Sequence, residues 1–265
     1  MKKLTSKNNL ARDSREIENT ISYNKIVSHE IYDGIKGAIH HVDNKAMVNS
    51  ILNYIIIRGN KLESCDGISG YTKWLSASTQ FTLQIPFATA KAIMKINKNS
   101  IDSFSFTRCK KDYHEIQLIE VITNTHTFNF ESEVTDDELP DLEQFKQKET
   151  IEATFLILDL KNTLKHFKGH DVLVIESDKN INQIKLPDNS IKVGLNFTSE
   201  LDFQLAVNIK LLERVIKSLE CKKTLKLKLN PNYKKDSYKI IDKPIEAISG
   251  RSGKSRVIFM PVTTR

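Results

Sequence analysis

The sequence predicts an α+β protein of two similar halves, each setting a pair of short helices against antiparallel sheets. Three observations predict it. A short amphipathic helix followed by a group of strands recurs four times along the 265 residues. An acidic stretch with a proline, ESEVTDDELPDLEQF (131–145), separates two halves of the same plan. Three of the four helices carry cations at helical spacing on one face and aliphatic residues on the other.

Residues 1–24 lack periodicity and are rich in charge, Asn and Ser, so a mobile arm is expected there. The first half then runs over 25–146 and the second over 147–265. Ile31, Ile35, Ala38, Ile39 and Val42 fall at helical spacing and predict a helix over 26–42. Strands follow at Met47–Ile57 and Lys61–Cys65, joined by Arg58-Gly59-Asn60. Asp66-Gly67 marks another turn, with strands at Tyr71–Leu75 and Phe81–Ile85. A helix from Pro86 to Asn97 has proline in a tolerated first-turn position. Strands at Ile101–Thr107, Glu115–Ile122 and Thr125–Phe130 complete the half.

The second half repeats the plan. A helix over Leu158–Phe167 is stopped by Lys168-Gly169, and strands follow at Asp171–Glu176, Asn182–Leu186, Ile191–Phe197 and Phe203–Val207. A last helix over Ile209–Leu219 precedes strands at Thr224–Asn230, Ser237–Asp242, Pro244–Ile248 and Arg256–Val262.

Composition excludes several classes. No apolar run approaches the ~20 residues of a membrane span. The polar opening holds no apolar core of a secretory signal, so a cytoplasmic location without a membrane partner is expected. Cys65, Cys109 and Cys221 form no C-x-x-C pair, which suits free thiols in a reducing compartment and offers no zinc spacing. No H-E-x-x-H, G-x-S-x-G or P-loop pattern accompanies the seven histidines, and nine glycines form no phosphate cradle. His166 and His170 stand four apart, but Gly169 between them ends the helix. Asp136, Asp137 and Asp141 read as a solvated linker rather than a magnesium site. No enzyme, metal or cofactor is expected, with a metal-dependent nuclease as the competing class.

The net charge of +7 suggests a polyanionic partner, and the placement of the charges is more specific. Lys91, Lys95 and Lys98 follow i, i+4, i+7 spacing on the second helix, as do Lys161, Lys165 and Lys168 on the third and Lys210, Arg214 and Lys217 on the fourth. The first helix contributes Lys36, His40 and His41. Opposite faces are apolar: Ile93, Met94 and Ile96; Leu160, Leu164 and Phe167; Leu211, Leu212, Val215 and Ile216. Like charges at i, i+4 cost a few tenths of a kcal/mol. Carrying that cost on three helices points to a shared polyanion. A lining of this kind contacts phosphates, not base edges, so double-stranded DNA would be bound without regard to sequence.

From about residue 25 to the C-terminus the sequence resembles the second and third domains of the bacterial beta sliding clamp, the DNA polymerase III beta subunit. VNSILNYIII (48–57) with CDG (65–67) is similar to a family strand and its Thr-Asp-Gly turn, with Cys65 in place of Thr. FTLQIPFATAKAIMKI (81–96) is similar to the strand, proline and helix that follow. LPDLEQF (139–145) resembles the Phe-Pro-Asp-Tyr segment that closes a domain. LDFQLAVNIKLLERVIKSLE (201–220) and VIFMPVTTR (257–265) resemble the last helix and the terminal strand. The order and spacing of these stretches carry the likeness more than any one of them, and no stretch corresponds to the family's first domain.

The resemblance implies the DNA clamp fold, with two inner helices and outer antiparallel sheets per domain and a closed head-to-tail ring of six domains. Chains of two domains would supply it as a homotrimer. It implies a processivity factor that encircles DNA, with a DNA polymerase and a clamp loader docking through a linear peptide motif. The peptide groove would be formed by Leu52, Cys65, Asp66, Gly67, Ser237, Ile258, Met260 and Pro261, aliphatic walls with an adaptable methionine. The alternative is a clamp-like adaptor that binds polymerase or repair proteins without encircling DNA.

Overall fold

The computed structural model describes residues 16–45, 50–111, 114–146, 148–178, 181–219, 223–231, 243–249 and 254–262. They form one unit, strand–helix–three strands, four times over. The first is β1 (Glu16–Tyr23), α1 (Lys25–Ala38), β2 (Tyr54–Arg58), β3 (Lys61–Cys65) and β4 (Ser69–Trp74). The second is β5 (Leu83–Pro86), α2 (Phe87–Ile93), β6 (Ile101–Lys111), β7 (His114–Thr123) and β8 (Thr127–Glu133). The third is β9 (Ile151–Leu156), α3 (Ile157–Leu164), β10 (Val172–Asp178), β11 (Ile181–Lys185) and β12 (Lys192–Gly194), followed by the short β13 (Phe197–Ser199). The fourth is β14 (Phe203–Asn208), α4 (Ile209–Ser218), β15 (Thr224–Leu229), β16 (Ile245–Ser249) and β17 (Ser255–Phe259).

Each unit gives its leading strand to its neighbour. β1 pairs with β6, β5 with β2, β9 with β15 and β14 with β10, all antiparallel. The exchange makes each half a closed pair of four-stranded sheets, β1-β6-β7-β8 with β5-β2-β3-β4, and β14-β10-β11-β12 with β9-β15-β16-β17. The two halves then join edge to edge. β17 pairs with β4 in the register Ser255↔Lys73, Val257↔Tyr71 and Phe259↔Ser69, which fuses two sheets into one of nine strands, β13 included.

The local chemistry explains the helices. Asn24 caps α1 by accepting from Val27 N at 3.1 Å, and Asn208 caps α4 by accepting from Leu211 N at 3.0 Å. Past α3, Gly169 takes a φ of +97° that other residues rarely adopt, and the chain turns away. The helices' apolar stripes and the inward faces of the strands share one core, in which Ile31, Ile35, Ile55, Phe104, Phe155, Leu212 and Phe259 are all fully buried. Truncating one of these, Ile35→Ala for example, should cost about 2–5 kcal/mol.

The helices lie side by side in the order α2, α1, α4, α3. Tyr32 on α1 donates to Ile96 O just beyond α2 at 3.0 Å. Gly37 of α1 lies so near Ser218 O of α4 that a Cβ there would sit 2.7 Å away, so only glycine permits this crossing. α3 and α4 line one hollow between them.

Several expectations are corrected. Within the 1–24 arm, residues 16–23 are strand β1: Thr20 pairs with Thr107 and Tyr23 with Phe104, because the edge of β6 needs a partner. β9, whose Ile151, Ala153 and Phe155 are buried, was not anticipated. The second helix stops at Ile93 rather than Asn97, which leaves Lys95 and Lys98 of its stripe beyond it, Lys98 in a separate 3-10 turn. Of the expected Met47–Ile57 strand, 51–53 form a 3-10 turn before the strand at Tyr54, and 47–49 lie outside the described residues. The Ile191–Phe197 strand is split into β12 and β13. The Ser237–Asp242 strand and Cys221 lie outside the described residues.

Candidate functional site

The helical row exposes the cations. On α3, the 3-10 turn that follows it (Lys165–Phe167) and α4, Lys161, Lys165, Lys168, Lys210 and Lys217 line one hollow of about 600 Å³, together with Leu164, Phe167, Ile209, Ile216, His170 and Glu213. Lys165 donates to Asn162 Oδ1 at 2.9 Å, and Lys210 comes within 3.9 Å of Asp171, both groups being largely in solvent. Lys161, Lys168 and Lys217 have no carboxylate within 4.0 Å among the described residues. Five of the six cations placed on these two helices therefore converge.

The sixth does not. Arg214 leans across to the first half, donating to Asp66 Oδ2 at 2.8 Å and to His40 O at 3.2 Å. Asp66 is one of the turn residues assigned to the partner groove, so one ion pair joins two sets the sequence kept apart. Its other oxygen accepts from Ile68 N, Ser69 N and Ser69 Oγ at 3.0, 2.7 and 3.0 Å. Burial raises its pKa, but those hydrogen bonds and the guanidinium outweigh burial and hold it below the ordinary carboxylate value. Beside it, His41 is fully buried, with Nδ1 2.8 Å from Ser69 Oγ and Nε2 3.0 Å from Ser218 Oγ. Burial, reinforced by Arg214 and His40 against the pull of Asp66, pushes its pKa down to about 3.

The first half's cations are more occupied. Lys98 Nζ stands 2.7 Å from both oxygens of Asp33 on α1. Lys91 lies 5.4 Å over the Phe87 ring. Lys95 and Lys36 are exposed.

The groove residues gather on the far side of the nine-stranded sheet. β2 alternates: Ile55 and Ile57 face the helices, while Tyr54 and Ile56 face outward. There they join Ile51, Cys65, Ile258, Leu139 and Leu142, with Leu52 packed against them, in a cluster separate from the main core. Cys65 and Ile258 are buried, and burial raises the Cys65 thiol's pKa. Gly67 takes a φ of +83° in the turn, its N–H donating to Cys65 Sγ at 3.3 Å. Met260 and Pro261 are half-buried, and Met260 N donates to Ile68 O at 3.1 Å. Ile68 itself is 57% exposed, and Phe145, three residues after Leu142, is also exposed. Ser237 lies outside the described residues.

Leu139 and Leu142 were missed, because they sit in the acidic stretch taken as a solvated linker. Gly70 admits Leu142: a Cβ there would come within 2.6 Å of its side chain. Glu143 anchors the segment across the joint, accepting from Arg256 at 2.5 and 3.2 Å and from Lys61 at 3.1 Å. Arg256 is buried and also stacks over Trp74 at 5.0 Å.

No family model and no curated protein matches the chain. Solved structures do. The DNA polymerase III beta subunit of Thermotoga maritima superposes with a TM-score of 0.70 at 15% identity, over 94% of this chain and 67% of that one. The beta subunit from the DNA polymerase of Streptococcus pyogenes gives 0.70 at 14% over 93% and 66%. A Pseudomonas aeruginosa sliding clamp bound to griselimycin gives 0.69 at 13% over 94% and 66%. The chain has the sliding-clamp fold and spans about two-thirds of the length of these proteins. No helix among the described residues is long and apolar enough to cross a membrane.

Proposed function

We propose that this chain is a non-catalytic sliding clamp: copies join head to tail into a ring, the helical row lines a bore around duplex DNA, and the outer apolar cluster takes a peptide of a DNA polymerase or of a clamp loader. The observation that carries the reading is the joint inside the chain. β4 and β17 are the last strands of their units, and they pair. β8 and β12 hold the equivalent places in the other two units, and each is the outer strand of its sheet. The inward Phe128 on β8 is 39% exposed, and inward Val193 on β12 is only partly buried. At the internal joint, Val257, Phe259 and Tyr71 are covered. A second copy would cover the ends in the same way. The opposite faces of these edges suit each other in charge, with Glu131 and Glu133 on β8 and Lys192 on β12. Paired edges also remove an aggregation hazard. If the ring has the six domains of the clamps, three copies close it, a homotrimer.

Topological linkage makes dissociation rare, while lysine–phosphate contacts without base readout allow sliding. The cytoplasmic setting follows from that role. One observation favours the adaptor alternative: β12 has only three residues against five pairs at β4–β17, so closure at that edge has fewer hydrogen bonds.

The test is native mass combined with retention on DNA. A ring gives three times the chain mass, persists on closed circles and slides off linear DNA. Glu131→Lys with Glu133→Lys should break it to smaller species, and Lys192→Glu added to that pair should restore part of the trimer. Met260→Asp should keep the trimer and lose stimulation of the polymerase. A monomer at micromolar concentration, equally retained on both DNA forms, would leave the adaptor; metal-dependent cleavage by pure protein would overturn the non-enzyme reading.

A further inference from the structure

We propose that His40 is a pH-sensitive contact for a DNA backbone phosphate at the seam where the two halves meet, so that the grip on duplex tightens as pH falls. The inference rests on the bore reading above and adds a residue and a regulation to it. His40 follows Lys36 by four residues, in the 3-10 turn that extends α1, so the two share a face, and Lys36 is exposed. α4 packs against this turn and brings Arg214 and Lys217 to it from the other half. Arg214 fixes the turn by donating to His40 O at 3.2 Å while its charge is met by Asp66. Lys36 and Lys217 then flank a half-buried imidazole with positive charge drawn from both halves.

Among the described residues, the charged groups that act on His40 push in one direction. Partial burial lowers its pKa first, then Lys217, Arg214 and Lys36 lower it further. His41 behind it is neutral, and the carboxylate of Asp66 is taken up by Arg214 and the turn. An empty seam thus keeps the ring uncharged at neutral pH. A phosphate seated between Lys36 and Lys217 reverses that field. The ring takes a proton from solvent, and its N–H then donates to a phosphate oxygen, a charge-assisted bond. Because the bound form holds one more proton, affinity must rise as pH falls through the bound-state pKa.

The experiment measures binding of a short, open-ended fluorescent duplex by anisotropy between about pH 8 and about pH 6. Wild type should bind roughly threefold to tenfold tighter at the acid end, as expected when the bound form takes up one more proton. His40→Gln should lose that gain. His40→Lys should bind tightly across the range, and it keeps the inference testable if the glutamine variant is unstable. Binding with the same pH slope in wild type and both variants overturns the inference and leaves the clamp reading standing. No binding by wild type at any pH likewise overturns the inference, while the bore reading is judged separately, by retention on closed circles.

Discussion

The two halves carry the same helical plan and nearly the same cation spacing, yet their exposed faces differ. In the second half five lysines of α3, the turn that follows it and α4 border one open hollow. In the first, Lys98 is locked to Asp33 and Lys91 lies over an aromatic ring. The difference comes from outside the stripes. Asp33 stands on α1, the helix beside α2, whereas Asp171 near α4 faces solvent, and Glu213, which lines the hollow, forms no ion pair within 4.0 Å among the described residues. An i, i+4, i+7 run of lysines states how charge is arranged along one helix. Whether that charge is available to a phosphate is decided by the neighbouring helix.

The largest expected effect tests this contrast. Lys161→Glu, Lys168→Glu and Lys217→Glu together should weaken duplex binding by about a hundredfold at low salt. The same cations replaced by alanine should reduce the slope of log affinity against log salt by roughly three, one for each lost phosphate contact. Replacing Lys91 and Lys98 by alanine should cost only a few-fold. Salt titrations by anisotropy read both. Equal losses from the two halves would mean that Asp33 does not hold Lys98 when DNA is present.

Much of this face was legible in the sequence, and the part that was not has a common cause. The stripe of α4, the buried Leu211, Leu212, Val215 and Ile216, and the stop at Gly169 follow from spacing within one segment, and local periodicity records them. β3 likewise has the expected bounds, Lys61–Cys65, because its flanking turns are written in Gly and Asn or Gly and Asp. β1 was invisible: it is a polar edge strand whose exposed Thr20 pairs with Thr107, far along the chain. β9 could have been found from Ile151, Ala153 and Phe155 alternating with Glu152 and Thr154. The counter-charges Asp33 and Asp66 carry no local mark of their partners, and neither do Leu139 and Leu142, two apolar residues within an acidic run. The outer cluster was therefore recovered only where resemblance, not pattern, pointed.

Arg214 sharpens the contrast from the side of stability. It belongs to the second half's stripe by spacing and to the seam by contact, so Arg214→Ala should change the salt slope little. It should instead lower unfolding free energy by about 1–3 kcal/mol, since the buried Asp66 carboxylate loses its charged partner. Acid should act on the same seam. The folded pKa of His41 lies below its ordinary 6.5, so the unfolded chain binds the extra proton first. Stability is thus full above about pH 6.5 and falls as pH drops toward about 3, by up to about 1.4 kcal/mol per unit. Asp66, held below its usual value, adds a further loss only at the acid end of that window. Urea denaturation across pH reads these losses, and His41→Phe, though less stable at neutral pH, should flatten the slope between pH 6.5 and the carboxylate range. A variant with the wild-type slope would assign the acid sensitivity elsewhere.

The smallest effect is the most direct attempt to erase the difference between the halves. Asp33→Asn removes the charge that holds Lys98 and leaves a side chain of the same shape. The pair is partly exposed on both sides, so its loss should cost under about 1 kcal/mol of stability. Released, Lys98 becomes a further cation on the first half's face, and the net charge of that face rises by one. Duplex affinity should then increase about twofold to threefold, and the salt slope should steepen by up to about one. Asp33→Asn with Lys98→Ala should return affinity to that of Lys98→Ala alone, since Asp33 acts through Lys98. An affinity gain that survives removal of Lys98 would show that Asp33 repels phosphate directly, and the two faces would then differ in their acids rather than in the availability of their lysines.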